Sequence, residues 1–289
     1  MKLITVCNKR CPGLDLWELT AKLQNITPVI LGLNDNRPLG HESQNFGLKF
    51  ILLAEYLSTL SPSEVCLVTD GFDVIFYGCE EIEQRLEKAI HPNQILFAAD
   101  VYENPDQGLP YQTQHYRVPY LNSGVYAGRA RTILAALQSA LQKQEGETLA
   151  LDDQRYYTEY MFSNPGSIVI DHMCEHFACT AGLEYKKDFY VIQSPLGNPK
   201  LKVFSHSPCV LHFQGFHKDT RIVNELYINN TTVKNLGKKL LRLPSKWGKA
   251  FGDSLVQLGS YFPVSKQYRV HTGAIITFFL LFLLLAKTF

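Results

Sequence analysis

Along this 289-residue chain the spacing of apolar positions switches repeatedly between that of strands and that of helices. Lys2–Val6 and Val29–Gly32 are short, nearly continuous apolar runs, as expected of strands covered on both faces. Phe50–Leu57 predicts a helix that stops before Pro62, and Val65–Thr69 predicts the next strand. Glu81–Ile90 then sets Ile82, Leu86 and Ile90 four residues apart on one helical face, with Pro92 beyond its end. Ile95–Ala99 predicts a further strand, and Ile133, Leu134, Leu137 and Leu141 a further amphipathic helix. This alternation implies an α/β fold, a mixed sheet with helices on both faces. Ligands of such sheets sit beyond the carboxyl ends of strands, so polar residues there are the first candidates for chemistry.

The pattern changes toward the C-terminus. A body of residues 1–249 is expected to end near Lys238-Lys239 and Trp247-Gly248-Lys249. Residues 250–272, interrupted by Gly252, Gly259 and Pro263, read as a connection. Residues 273–289 read as a hydrophobic, membrane-inserted tail, because Gly273–Ala286 carries no charge. Those fourteen residues fall short of the roughly 20 that span a bilayer. Flanking residues and local thinning would cover the difference. A C-terminal apolar helix and a membrane-associated protein are therefore expected. The run at Met1–Val6 is too short for a signal-peptide core, so the globular body is placed in the cytosol, with a luminal orientation as the alternative. The sequons at Asn25, Asn229 and Asn230 would distinguish the two.

Hydrophobic residues make up 46% of the chain, ample for a core. A net charge of +1, with no basic stripe, gives no footprint for nucleic acid. Neither a GxGxxG nor a GxxxxGK[ST] motif occurs. The seven cysteines include pairs four apart (Cys7, Cys11) and five apart (Cys174, Cys179) but no CxxC, so a structural zinc site is not signalled. Their odd number favours mostly free thiols, with Cys66 a small buried hydrophobe in a strand.

The most informative stretch is Leu67-Val68-Thr69-Asp70-Gly71-Phe72-Asp73-Val74-Ile75, where a strand ends at two carboxylates three residues apart. Such carboxylates can converge on one hard cation, and that cation can neutralise a diphosphate; turn and cap duties are the other reading. Asp100 ends the Ile95–Ala99 run, Asn122 lies in an Asn-Ser-Gly that suits a turn, and Asp152-Asp153 suits the N-cap and first turn of a helix. His212 follows an apolar strand, and Lys218 follows Gly215 in His212-Phe213-Gln214-Gly215-Phe216-His217-Lys218. A core histidine and a solvated surface lysine are the plain readings of these two. Taken together, two carboxylates and an imidazole can hold Mn²⁺, Gly215 can let backbone approach a diphosphate, and Lys218 can balance its charge.

These motifs, in this order, resemble the glycosyltransferase domain of the procollagen lysyl hydroxylase/glycosyltransferase family and, more distantly, the procollagen galactosyltransferases. The resemblance runs from about Leu3 to Tyr227 and includes Asp70–Ile75, Phe97–Asp100, Tyr120–Gly124, Asp152-Asp153-Gln154 with Tyr157-Thr158, Asp171-His172 and His212–Lys218. It implies a GT-A-type fold, Mn²⁺ (or Mg²⁺), and UDP-glucose or UDP-galactose as donor. A protein or glycan acceptor is implied with them. It further implies Asp70, Asp73 and His212 as metal ligands, Thr5 and Phe72 in the uridine pocket, and Gly215 and Lys218 on the diphosphate. Asp152 and Asp153 would stand at the catalytic centre, with Asn122 and Asp100 near the transferred sugar or acceptor. Phe72 replaces a tyrosine of the hydroxylase relatives, Asp100 a glutamate of some, and Asn104 an expected aromatic.

The expected function is metal-dependent transfer of glucose or galactose from a UDP-sugar to an acceptor hydroxyl. A catalytically inactive, membrane-tethered nucleotide-sugar or glycan-binding protein and a metal-dependent phosphoesterase are the competing readings.

Overall fold

The computed structural model describes residues 1–37, 39, 46–104, 108–111, 113–143, 152–181, 189–192, 199–214 and 220–241, all within the compact unit Met1–Arg242. The strands of its main sheet are β1 (Lys2–Val6), β2 (Pro28–Leu31), β3 (Val65–Thr69), β5 (Ile95–Asp100), β6 (Tyr120–Arg129) and β7 (Ile168–Asp171), in the spatial order β2-β1-β3-β6-β5-β7. Only β6 runs against its neighbours, pairing antiparallel with β3 and β5. A smaller sheet, β4-β11-β8, contains β4 (Val74–Phe76), β8 (Phe177–Cys179) and β11 (Val210–His212). β9 (Phe189–Ile192) and β10 (Lys200–Val203) form an antiparallel pair.

Strand alternation sorts the core into two layers. Ile4, Cys66, Val68, Phe97 and Tyr126 join one apolar cluster with Phe50 and Leu53 of α2 (Gly47–Ser58), Ile133 and Leu137 of α4 (Ala130–Lys143), and Tyr156 and Tyr157 of α5 (Asp153–Ser163). Their sequence neighbours Leu3, Val65, Leu67, Leu96 and Val125 join the other, with Leu14 and Trp17 of α1 (Pro12–Leu23) and Leu86 of α3 (Ile82–Ala89). Helices therefore cover both faces, as the alternating pattern implies. The remaining helices are α6 (Thr220–Leu226) and α7 (Thr231–Leu241).

Three observations depart from the sequence-based expectations. The helix α1 was not anticipated, because Pro12-Gly13 and Asp15 mask its stripe. Proline is well suited to a first helical turn, and Leu14, Trp17 and Ala21 then fall on one buried face. Asn122-Ser123-Gly124 forms no turn but lies inside the ten-residue β6. Its register explains its shape. Phe97 faces Tyr126 whereas the adjacent Ala98 faces Asn122, so Ser123–Val125 bulge out of the pairing with β5 beside the strand ends.

The third departure is a correction. No helix among the described residues is long and apolar enough to cross a membrane, so the expected C-terminal apolar helix, the membrane association and the localisation built on them are withdrawn. The fourteen uncharged residues would make a helix of roughly 21 Å against a hydrocarbon core of about 30 Å. Residues 273–289, with the preceding connection, lie outside the described residues.

Trp17 ties α1 to both sheets. Fully buried, it donates from Nε1 to Thr69 Oγ1 at 2.8 Å and meets Phe76 edge-on at 5.9 Å. Trp17→Ala should lower unfolding free energy by about 3–5 kcal/mol. Chemical denaturation followed by circular dichroism measures this, and a loss below about 1 kcal/mol would show that the fold does not lean on this contact.

Candidate active site

Asp70 follows the last residue of β3, and Asp73 precedes the first residue of β4, so the turn Asp70–Asp73 joins the two sheets. β11 pairs with β4, His212 opposite Val74, and this brings the imidazole over the turn. His212 Nε2 stands 3.7 Å from Asp70 Oδ2 and 3.5 Å from Asp73 Oδ1. One ligand atom from each of the three residues lies within 4.8 Å of the others. A hard cation bound at ~2.1 Å sets adjacent ligands ~3 Å apart and opposite ones ~4 Å apart, so these spacings fit.

The donor set also fits chemically. His212 Nδ1 faces Asn122 Oδ1 at 2.9 Å, an oxygen that also accepts from Gly124 N at 2.9 Å. An acceptor at Asn122 Oδ1 holds the proton on Nδ1 and leaves the Nε2 lone pair toward the carboxylates, the tautomer a metal ligand needs. Gly124 supplies the room. A Cβ there would lie 2.1 Å from His212 Cε1 and 2.8 Å from Asp70 Oδ2.

Asn122 continues the chain of bonds outward. Its Nδ2 donates to Asp100 Oδ2 at 2.9 Å, and Gln214 Nε2 donates to the same oxygen at 3.0 Å. Asp100 Oδ1 accepts from Tyr102 N at 3.1 Å. Gln154 fixes the β6 bulge, accepting from Ser123 N at 2.7 Å while its amide bonds the Leu121 carbonyl.

The adjacent acidic residues Asp152 and Asp153 separate in space. Asp152 is exposed and caps α5, accepting from Arg155 N at 3.1 Å. Asp153, in the first turn, is buried and reaches inward. Its partner is Lys49, which the sequence reading missed. Lys49 Nζ donates at 2.8 Å to Asp153 Oδ2 and at 2.8 Å to Asp70 Oδ1. Its side chain is only 7% exposed and sits in the first turn of α2, where the helix dipole disfavours a cation. Carboxylate partners offset both penalties. One signal was present: Lys49 is the single charge between Phe46 and Leu53, on the stripe of Phe50, Leu53 and Leu57.

The electrostatics agree with this geometry. Burial alone would lower the Lys49 pKa, but Asp153 and Asp70 outweigh it and raise it, so the amine stays charged. Burial raises the Asp70 carboxyl, Lys49 pulls it down and Asp73 pushes it up again, with a net upward shift. For His212, burial acts downward and is overcome by Asp73 and Asp70, leaving the pKa above its usual value.

Among the other anticipated residues, Thr5 is fully buried, its hydroxyl 3.9 Å from Cys7 Sγ and close under Gly71. Phe72 is half-buried, and its backbone carbonyl abuts Gly13 of α1, where a Cβ would come within 2.2 Å. Asp171 accepts from the backbone of Glu175, His176 and Phe177 and so shapes the turn before β8. Gly215 and Lys218 lie outside the described residues.

Comparison with known proteins places this arrangement. The PLOD GT domain family matches residues 1–237. The chain belongs to this family. The resemblance read from the motifs is thereby borne out. Procollagen-lysine,2-oxoglutarate 5-dioxygenase 2 of Homo sapiens is 32% identical over 193 residues, 62% of this chain and 25% of that protein. The match thus spans a quarter of that relative's length. Among solved structures, an active-site mutant of the galactosyltransferase LgtC aligns with 86% of this chain and 99% of its own, at 12% identity and a TM-score of 0.51. A glycosyltransferase involved in glycosylation of the major capsid of PBCV-1 aligns with 84% and 98%, at 12% identity and a TM-score of 0.48. The fold is that of a GT-A-like glycosyltransferase, with a triad able to coordinate a divalent metal.

Gly124→Ala tests the cradle. The added methyl group must displace His212 and the Asp70 carboxylate, which are side-chain ends, so the fold should survive. Mn²⁺ affinity should fall by about 10-fold or more, read by the free-ion signal in electron paramagnetic resonance. Unchanged affinity in a folded variant would remove these residues from any metal site.

Proposed function

We propose that this chain is a Mn²⁺-dependent glycosyltransferase that moves glucose or galactose from a UDP-sugar to an acceptor hydroxyl, on a hydroxylysine-type or glycan acceptor. The observation that carries the reading is the convergence of Asp70, Asp73 and His212 on one point, in a chain of the PLOD GT domain family. Residues 1–249 form the transferase body in this reading.

Asp70 Oδ2, Asp73 Oδ1 and His212 Nε2 would hold Mn²⁺, with Mg²⁺ as the other hard cation that suits the set. When bound, the cation supplies a Lewis acid that stabilises charge on the departing diphosphate. The remaining work falls to the chain itself. Asn122 keeps His212 in the ligating tautomer. Asp153, at the start of α5, orients the acceptor hydroxyl or takes its proton. Asp100, held by Asn122 and Gln214, offers hydrogen bonding at the rim where the sugar or acceptor would lie. Gly215 and Lys218 are assigned to the diphosphate on motif grounds, and Thr5 and Phe72 to the uridine side. Asp152, spent on capping, is assigned no chemistry.

Release of UDP from UDP-glucose and UDP-galactose, with and without Mn²⁺, tests the reading directly. Asp73→Ala should remove the metal-dependent rate by more than about 100-fold while the fold is kept. A folded variant that retains half the wild-type rate in saturating Mn²⁺ would exclude the metal role. Phosphate release from simple esters, run beside it, should stay at background; esterase turnover without UDP release would favour hydrolysis instead.

The acidic pair gives a second prediction. Asp153→Asn should lower turnover by about 100-fold or more with little change in UDP affinity. Asp152→Asn should leave turnover within about three-fold and cost ~1 kcal/mol of stability or less, as expected of a cap. Equal losses of turnover in the two variants would contradict this division.

A further inference from the structure

Lys49 is placed where no single-purpose reading accounts for it. Its ammonium touches a carboxylate of the proposed metal triad and the carboxylate proposed to act on the acceptor, at 2.8 Å each, with 7% of the side chain exposed. It contacts Asp70 through Oδ1, whereas Oδ2 is the oxygen that faces His212 Nε2. The lysine therefore divides the Asp70 carboxylate between two duties.

From this geometry we infer that Lys49 is a positioning residue that fixes Asp153 for turnover and, through its own charge at Asp70, limits how tightly the triad holds a divalent cation. The inference rests on the metal-dependent transferase reading. Two effects compete at Asp70. A nearby ammonium repels a divalent ion and shares its ligand, which weakens binding. The same ammonium orders the carboxylate, which favours binding. Repulsion of a divalent ion by a buried ammonium one carboxylate away exceeds the entropy of one carboxylate rotamer, so the first effect dominates. At Asp153 there is no such competition. Without its ammonium partner a buried carboxylate is stranded and must reorient or take up a proton.

Lys49→Met in the full chain separates these roles from a merely structural one. Mn²⁺ alone, titrated by electron paramagnetic resonance, should bind about three-fold tighter or more in the variant. UDP release should fall by about 30-fold or more. If Lys49 acts on turnover through Asp153, Lys49→Met and Asp153→Asn should not multiply, and the double variant should be no slower than Asp153→Asn alone. The double variant removes the stranded charge, so it also answers the metal question if Lys49→Met does not fold. Weaker Mn²⁺ binding in a folded variant, or multiplicative losses of turnover, would overturn the inference. So would failure of both Lys49 variants to fold where Asp153→Asn folds, since Lys49 would then be structural. The metal titration needs no turnover, so a chain that proves not to transfer sugar leaves it interpretable.

Discussion

Like-charge repulsion at one edge of the sheet is the constraint around which the rest of this structure is arranged. Asp70, Asp73, Asp100 and Asp153 are all brought to the strand ends, three of them within reach of one another's fields. Four carboxylates in partly buried surroundings would protonate or splay unless each had a partner. The chain solves this with different partners rather than one. Lys49 bridges Asp70 and Asp153, His212 faces Asp70 and Asp73, and the amides of Asn122 and Gln214 serve Asp100. Asp100 is thus held by hydrogen-bond donors, whereas the other three lie against Lys49 or His212.

Much of the frame is legible in the sequence, because buried strands write themselves as apolar runs. Lys2–Val6 and Val65–Thr69 were bounded to the residue, and Ile95–Ala99 to within one. Asp70, Asp73 and His212 were legible as a set because motif order supplied what spacing could not. Linear distance says nothing about whether His212 meets a turn some 140 residues earlier; that follows only from β11 pairing with β4. The helix α1 stayed hidden because its stripe begins with Pro-Gly and carries Asp15 and Glu18 on its outer side. The β6 bulge stayed hidden for another reason. Asn-Ser-Gly is turn chemistry by local preference, and pairing of the flanking residues, Tyr120–Asn122 with β5 and Val125–Arg129 with β3, overrode that preference.

Lys49 was the largest omission, and its cause is general. A single lysine in an apolar helix reads as a snorkelling surface residue, since burial of an ammonium is costly without partners. The partners come from two other elements, at sequence separations of 21 and 104 residues, so no window of the chain contains the reason for it. The Asp152-Asp153 pair conceals its geometry in the opposite way. Two identical neighbours look interchangeable, yet the helix start sends them in different directions. At an N-cap the side chain folds back onto the following backbone, and one residue later it projects from the helix surface. The fold therefore turns Asp152 onto the α5 backbone and Asp153 onto Lys49.

The position of the site between two sheets has a consequence for stability. Asp100, Asn122 and the end of β3 belong to the six-stranded sheet, whereas Asp73 and His212 lead into and out of the three-stranded one. The short strands β4, β8 and β11 contribute three residues each, few for an independently stable sheet. Contacts across the site, His212 to Asn122 and Gln214 to Asp100, therefore hold the small sheet to the large one. Any ligand that engages Asp70, Asp73 and His212 together closes the same seam and stabilises the native state by mass action. Binding at this site and the stability of the fold are then linked.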